Sequence, residues 1–87
     1  MTVEQALERT CQLLASSQDS DWTPWSVAEL RGELSKMLEA LQQGGKVDRA
    51  ELRLLFVVTG PVQEISMANG WSAEMLRLVE VVDAFTA

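Results

Sequence analysis

One helix-start signature recurs three times in this chain, at Trp25-Ser26-Val27-Ala28-Glu29-Leu30, Val47-Asp48-Arg49-Ala50-Glu51-Leu52 and Trp71-Ser72-Ala73-Glu74-Met75-Leu76. In each, an apolar residue precedes a side chain able to accept a hydrogen bond from the unpaired N–H groups of a helix's first turn: Ser26, Asp48 or Ser72. A Glu follows within that turn, and a Leu at the fourth helical position clasps the leading apolar residue. The repetition predicts an all-α fold. The three copies lie 22 and 24 positions apart, but the segments between them differ in length and pattern, so common capping physics accounts for the likeness better than a structural repeat.

The rest of the chain fits that frame. Thr2 and Gln5 form a weaker capping box, and Val3, Ala6, Leu7, Cys11 and Leu14 recur at helical spacing, predicting a first helix to about Ala15. Residues 16–24 are polar apart from Trp22 and are closed by Pro24, which reads as the longest connector. The second helix carries Val27, Leu30, Leu34, Met37, Leu38 and Leu41 on one stripe and stops at Gly44-Gly45. The third starts after Asp48 and buries Leu52, Leu55 and Phe56. Its end, residues 54–58, has enough β-branched content to compete as a short strand.

Thr59-Gly60-Pro61 breaks the chain, and Pro61 suits the first position of a short helix through Val62, Ile65 and Ala68 that Asn69-Gly70 stops. A hairpin is the competing reading, disfavoured by the spacing of three between the apolar residues. The last helix, after Ser72, presents Met75, Leu78, Val79, Val82 and Phe85, widened by Leu76 and Val81, and is expected to be central. The fold expected is a compact bundle of four helices plus a short fifth, forming a single domain over residues 1–87.

Composition narrows function by exclusion. With 87 residues and 47% of them apolar, the chain has material for one core. Thirteen acidic against seven basic residues give a net charge of −6, which argues against nucleic acid and anionic membranes and favours solubility or a basic protein partner. There is no His and no Tyr, so most ordinary catalytic constellations are missing. A lone Cys11, with no basic or apolar leader at the start and no apolar run longer than residues 54–58, points to a cytoplasmic address.

Individual candidates are weighed against plain packing. Trp25 and Trp71 are expected to staple helix starts onto Leu30 and Leu76, whereas Trp22 has no such explanation and is either a core plug or an interface anchor. Cys11 falls on an apolar stripe with no base beside it. Asp19-Ser20-Asp21 lacks the Gly and Glu of a calcium loop. Glu29 and Glu33 face one way and Glu64 and Asp83 could join them, but without His ligands an acidic solvated face is the expectation. The start of the Pro61 helix lacks the glycines and Lys of a phosphate loop. The sequence therefore implies no metal and no cofactor.

The segment Leu54-Leu55-Phe56-Val57-Val58-Thr59-Gly60-Pro61-Val62-Gln63-Glu64-Ile65, leading to Asn69-Gly70-Trp71, resembles a group of small bacterial proteins of unknown function. Their pattern reads Phe-x-x-Thr-Gly-x-Leu-Gln-Glu-Ile followed by Asn-Gly-Trp, and Val62 stands here in place of its Leu. The resemblance implies no catalytic residues, only that this segment is a shared structural or binding element. The function expected is a non-enzymatic module that binds another protein through an acidic surface, as an inhibitor, immunity-like or accessory factor. Its candidate contacts are Trp22, Trp25, Glu29, Glu33, Glu64 and Trp71. Two other readings compete: a binder of small molecules or peptides with an apolar pocket walled by Trp71 and Met75, and a structural subunit of a homo-oligomer. An enzyme, with Glu64 and Asp83 or Glu80 as acid and base, ranks third.

Overall fold

A computed structural model describes all residues, Met1–Ala87. Five helices follow one another: α1 (Val3–Ala15), α2 (Val27–Gln42), α3 (Arg49–Phe56), α4 (Pro61–Ala68) and α5 (Ser72–Thr86). No strand forms, so residues 54–58 end a helix and the Pro61 segment is helical rather than a hairpin. The all-α expectation and the short helix at Pro61 both hold.

Helix starts follow from side-chain acceptors. Thr2 and Ser26 each form a complete capping box, with Gln5 and Glu29 reaching back to the cap's own N–H. Asp48 accepts from the Glu51 N–H at 3.0 Å. The third signature departs from expectation. Ser72 makes no cap and is already the first helical residue of α5, with Trp71 in the cap position. The reason lies in the preceding corner. Gly70 adopts φ +79°, which lets the Trp71 N–H reach back to the Ser66 carbonyl at 3.0 Å and close α4 in the manner of a Schellman motif. One residue thus ends α4 and starts α5. Glu74, three residues after Trp71 rather than after Ser72, already marked that register. A second consequence is that Met75 is buried and Leu76 is 61% exposed, so the expected Trp71–Leu76 staple does not form.

Sixteen buried apolar residues drawn from all five helices and from Trp71 make one core. α1 packs on α2 and α5, while α5 packs on α1, α3 and α4. The central position expected for α5 is shared with α4, which touches α2, α3 and α5. On α1 the buried stripe passes through Thr10 rather than Cys11; the Thr10 hydroxyl donates to the Ala6 carbonyl at 2.7 Å and is thereby satisfied inside the core. Ala68, assigned to the apolar side of α4, is exposed, and Ser66 is buried instead. Across the α1–α5 contact, the Arg9 guanidinium donates from both Nε and Nη2 to the Glu74 carboxylate, the latter bond at 2.9 Å.

Two predictions follow from this packing. A Cβ at Gly60 would lie 2.7 Å from the Leu54 carbonyl oxygen and 3.0 Å from those of Leu55 and Val57. All three are rigid backbone, so Gly60→Ala is expected to destabilise by about 1–3 kcal/mol, read as a lower midpoint in urea unfolding. The hydrogen bond from Arg9 holds the Glu74 carboxyl below the ordinary glutamate value of 4.5. A depressed folded-state value means that this contribution is complete above that ordinary value and is lost as pH falls through the lowered one. In Glu74→Gln, unfolding followed from neutral to acid pH should therefore show a shallower acid limb; an unchanged limb would remove this pair from the stability of the fold.

Candidate functional site

The segment between α1 and α2 has no regular structure, and side chains take several of its backbone groups that water would otherwise bond. Ser20 Oγ accepts from the Trp22 N–H at 3.2 Å and Thr23 Oγ1 accepts from the Trp25 N–H at 3.3 Å. The Asp19 carboxylate accepts from the Val27 N–H at 2.7 Å, adding a second acceptor to the start of α2 beside the Ser26 box. Asp19 is thus a helix cap, which accounts for an acidic residue there without any cation.

The first residues of the loop are fastened to the α4–α5 corner. Asn69 accepts from the Gln18 N–H through Oδ1 at 2.8 Å and donates through Nδ2 to the Gln18 carbonyl at 2.8 Å and to the Ile65 carbonyl at 2.9 Å. Beside it the Trp71 indole N–H donates to Ser17 Oγ at 2.9 Å, and the same hydroxyl donates to the Leu13 carbonyl at 2.7 Å. With both ends held, the loop carries Trp22 out over α4, where it is 82% exposed. Trp22, Glu64, Met67 and Ala68 line an open depression of about 470 Å³, and Met67 is itself 60% exposed.

The six candidate residues therefore divide among three places. Trp22 and Glu64 come together. Trp25, half-buried against the core, shares a separate shallow depression on α2 with Glu29, Glu33, Ala28, Gly32 and Lys36. There Glu29 is engaged in the Ser26 capping box and Glu33 lies 3.5 Å from Lys36, so neither carboxylate is unengaged. Trp71 is a core residue, 9% exposed, and Met75 is 1% exposed, so these two do not form the open apolar wall that the competing pocket reading gave them. Nor do the carboxylates gather: no three His, Cys, Asp or Glu side chains stand close enough to hold a metal ion, so the cluster that Glu64 and Asp83 could have made with Glu29 and Glu33 does not form.

Cys11 is half-buried with Sγ 3.8 Å from Ser35 Oγ, and burial pushes its thiol above the ordinary value, which disfavours the nucleophilic thiolate. Elsewhere on the surface, Arg49 stacks over Phe85 at 4.7 Å. No helix is long and apolar enough to cross a membrane.

Sequence reasoning missed Met67, Ala68 and Asn69 at this site. Met67 sits one residue off the apolar stripe of Val62, Ile65 and Ala68, and Asn69 read only as a helix stop; its length, enough to span a gap between two backbones, was the available signal. Comparison with protein-family models, with curated proteins and with solved structures gives no match for this chain.

Asn69→Ala removes three hydrogen bonds and leaves the Gln18 N–H and carbonyl without their protein partner. A loss of about 1–3 kcal/mol is expected. Amide exchange should locate it, with protection at Gln18 falling more than at Leu7 or Leu34 in the core.

Proposed function

We propose that this chain is a non-enzymatic module that binds another protein through an acidic surface, and that the face built by Trp22 and α4 is where the partner docks. The observation that carries the reading is Trp22: a large indole left 82% exposed on a loop whose neighbouring backbone is held by hydrogen bonds. The fold draws little from an indole in that position, since its core is complete without it. An exposed tryptophan on a fixed backbone suits a binding anchor, because the ordering cost is met during folding rather than on association.

Chemistry supports the non-enzymatic part. The chain has no His and no Tyr, and burial of its one thiol disfavours the thiolate. A net charge of −6 favours a basic partner and faster encounter with it.

The test is capture from host lysate on the immobilised protein, at low and high salt, with Trp22→Ala beside the wild type. Because Trp22 is so exposed, the variant should unfold within about 0.5 kcal/mol of wild type. A specific protein should be retained at low salt, released by high salt, and bound roughly thirtyfold more weakly by Trp22→Ala, the scale of a hot spot worth about 2 kcal/mol. A partner retained equally by the variant would place the interface elsewhere, and no specific partner at all would overturn the reading.

A further inference from the structure

We propose that Trp22 and Glu64 together form a receptor for an arginine side chain presented by a segment of another protein. The proposal rests on the protein-binding reading above and adds the chemistry of the occupant.

Charge is the first argument. All seven basic residues are Arg9, Arg31, Lys36, Lys46, Arg49, Arg53 and Arg77, so residues 12–30 and 54–76 contain none. These are the two stretches that the Asn69–Gln18 and Trp71–Ser17 hydrogen bonds join. Their acidic residues are Asp19, Asp21, Glu29, Glu64 and Glu74. Three of these are already engaged: Glu74 with Arg9, Asp19 and Glu29 at the start of α2. Glu64 belongs to neither ion pair of the molecule, and its place in the first turn of α4 brings it into the depression with Trp22.

Shape and chemistry make the second argument. A guanidinium is planar, stacks on an aromatic face and pairs with a carboxylate through two parallel N–H donors. The depression offers an exposed indole and a carboxylate, and Met67 and Ala68 in its lining add apolar surface suited to the aliphatic stem of the same side chain. The chain's own arginines include two held elsewhere, Arg9 on Glu74 and Arg49 over Phe85. Neither ion pair of the molecule reaches Glu64 and no Lys or Arg lines the depression, so the cation is taken to come from another protein.

The experiment is a titration of the full-length 15N-labelled protein, observing the indole N–H signals, with that of Trp22 assigned by its loss in Trp22→Phe. The probe is a short synthetic peptide alternating leucine and arginine, compared with its counterpart carrying citrulline, which keeps the shape and removes the charge. The Trp22 signal should shift saturably with the arginine peptide, and the citrulline peptide should bind about tenfold more weakly or not at all. Glu64→Gln should weaken binding about fivefold, whereas Glu39→Gln, which removes the same charge from α2 outside the depression, should change it less than twofold.

Equal binding by the two peptides, equal loss in the two Glu variants, or absence of a saturable shift at Trp22 would each overturn the arginine receptor. So would a Trp22 signal that moves with protein concentration alone, which would assign the face to a second copy of the chain. The broader reading is judged separately. If the peptide fails while the lysate partner still requires Trp22, protein binding stands and the arginine receptor falls; if neither binds through Trp22, both fall.

Discussion

The side-chain amide of Asn69 pairs with the backbone of Gln18 on both edges, and the candidate site depends on that pairing. A loop without helix or strand offers its N–H and carbonyl groups to water unless something fixed takes them. Asn69 takes the first pair, and its position is set by the corner in which it sits. There Gly70 turns left-handed and the Trp71 N–H returns to Ser66, which aims Trp71 inward and its indole nitrogen at Ser17. The corner that joins α4 to α5 thus also fixes where the loop leaves α1. Beyond the bond of its own N–H to Ser20 Oγ, Trp22 takes its position from contacts made by its neighbours.

Net charge describes this surface less well than the fate of each carboxylate. Glu74 bridges α1 and α5, Glu33 lies beside Lys36, and Asp48, Glu29 and Asp19 satisfy N–H groups at helix starts. Such carboxylates are occupied with the fold, and the field they project is partly spent on the dipoles they cap. Glu64 belongs to neither ion pair and stands beside an open indole. A reading by composition treats these groups as equivalent, and the local geometry separates them.

Fold and site were unequally legible for a physical reason. Helix starts at Thr2, Ser26 and Asp48 are decided by interactions within four residues, so residue spacing reveals them. Ser72 had the same local credentials, but the Trp71 N–H was claimed by Ser66 across the corner, and the register moved by one residue. Thr10 is fully buried while Cys11 packs only partly against the core, because a threonine in a helix can return its hydroxyl to the carbonyl four residues back and bury safely, which hydropathy alone does not express. Whether Trp22 plugs the core or faces outward depended on the meeting of residues 51 positions apart, Gln18 and Asn69, which no periodic pattern encodes.

Loop length gives an independent reason to place function at this end. The connections from α2 to α3, α3 to α4 and α4 to α5 have six, four and three residues, whereas that from α1 to α2 has eleven, residues 16–26. α1 and α2 pack directly on each other, and helices so placed can be joined by roughly 2–8 residues. Each surplus residue carries an ordering cost that the core must offset, and Trp22 at 82% exposure returns little apolar burial against it. A chain of 87 residues with one modest core has little stability to spare for such an excursion. The loop is nevertheless fastened at both ends by hydrogen bonds from Asn69, Trp71 and Asp19, so the cost is met with specific interactions rather than avoided by disorder. That combination of surplus length, ordered backbone and an indole turned outward is consistent with the proposed binding surface, and a connector between two packed helices does not need it.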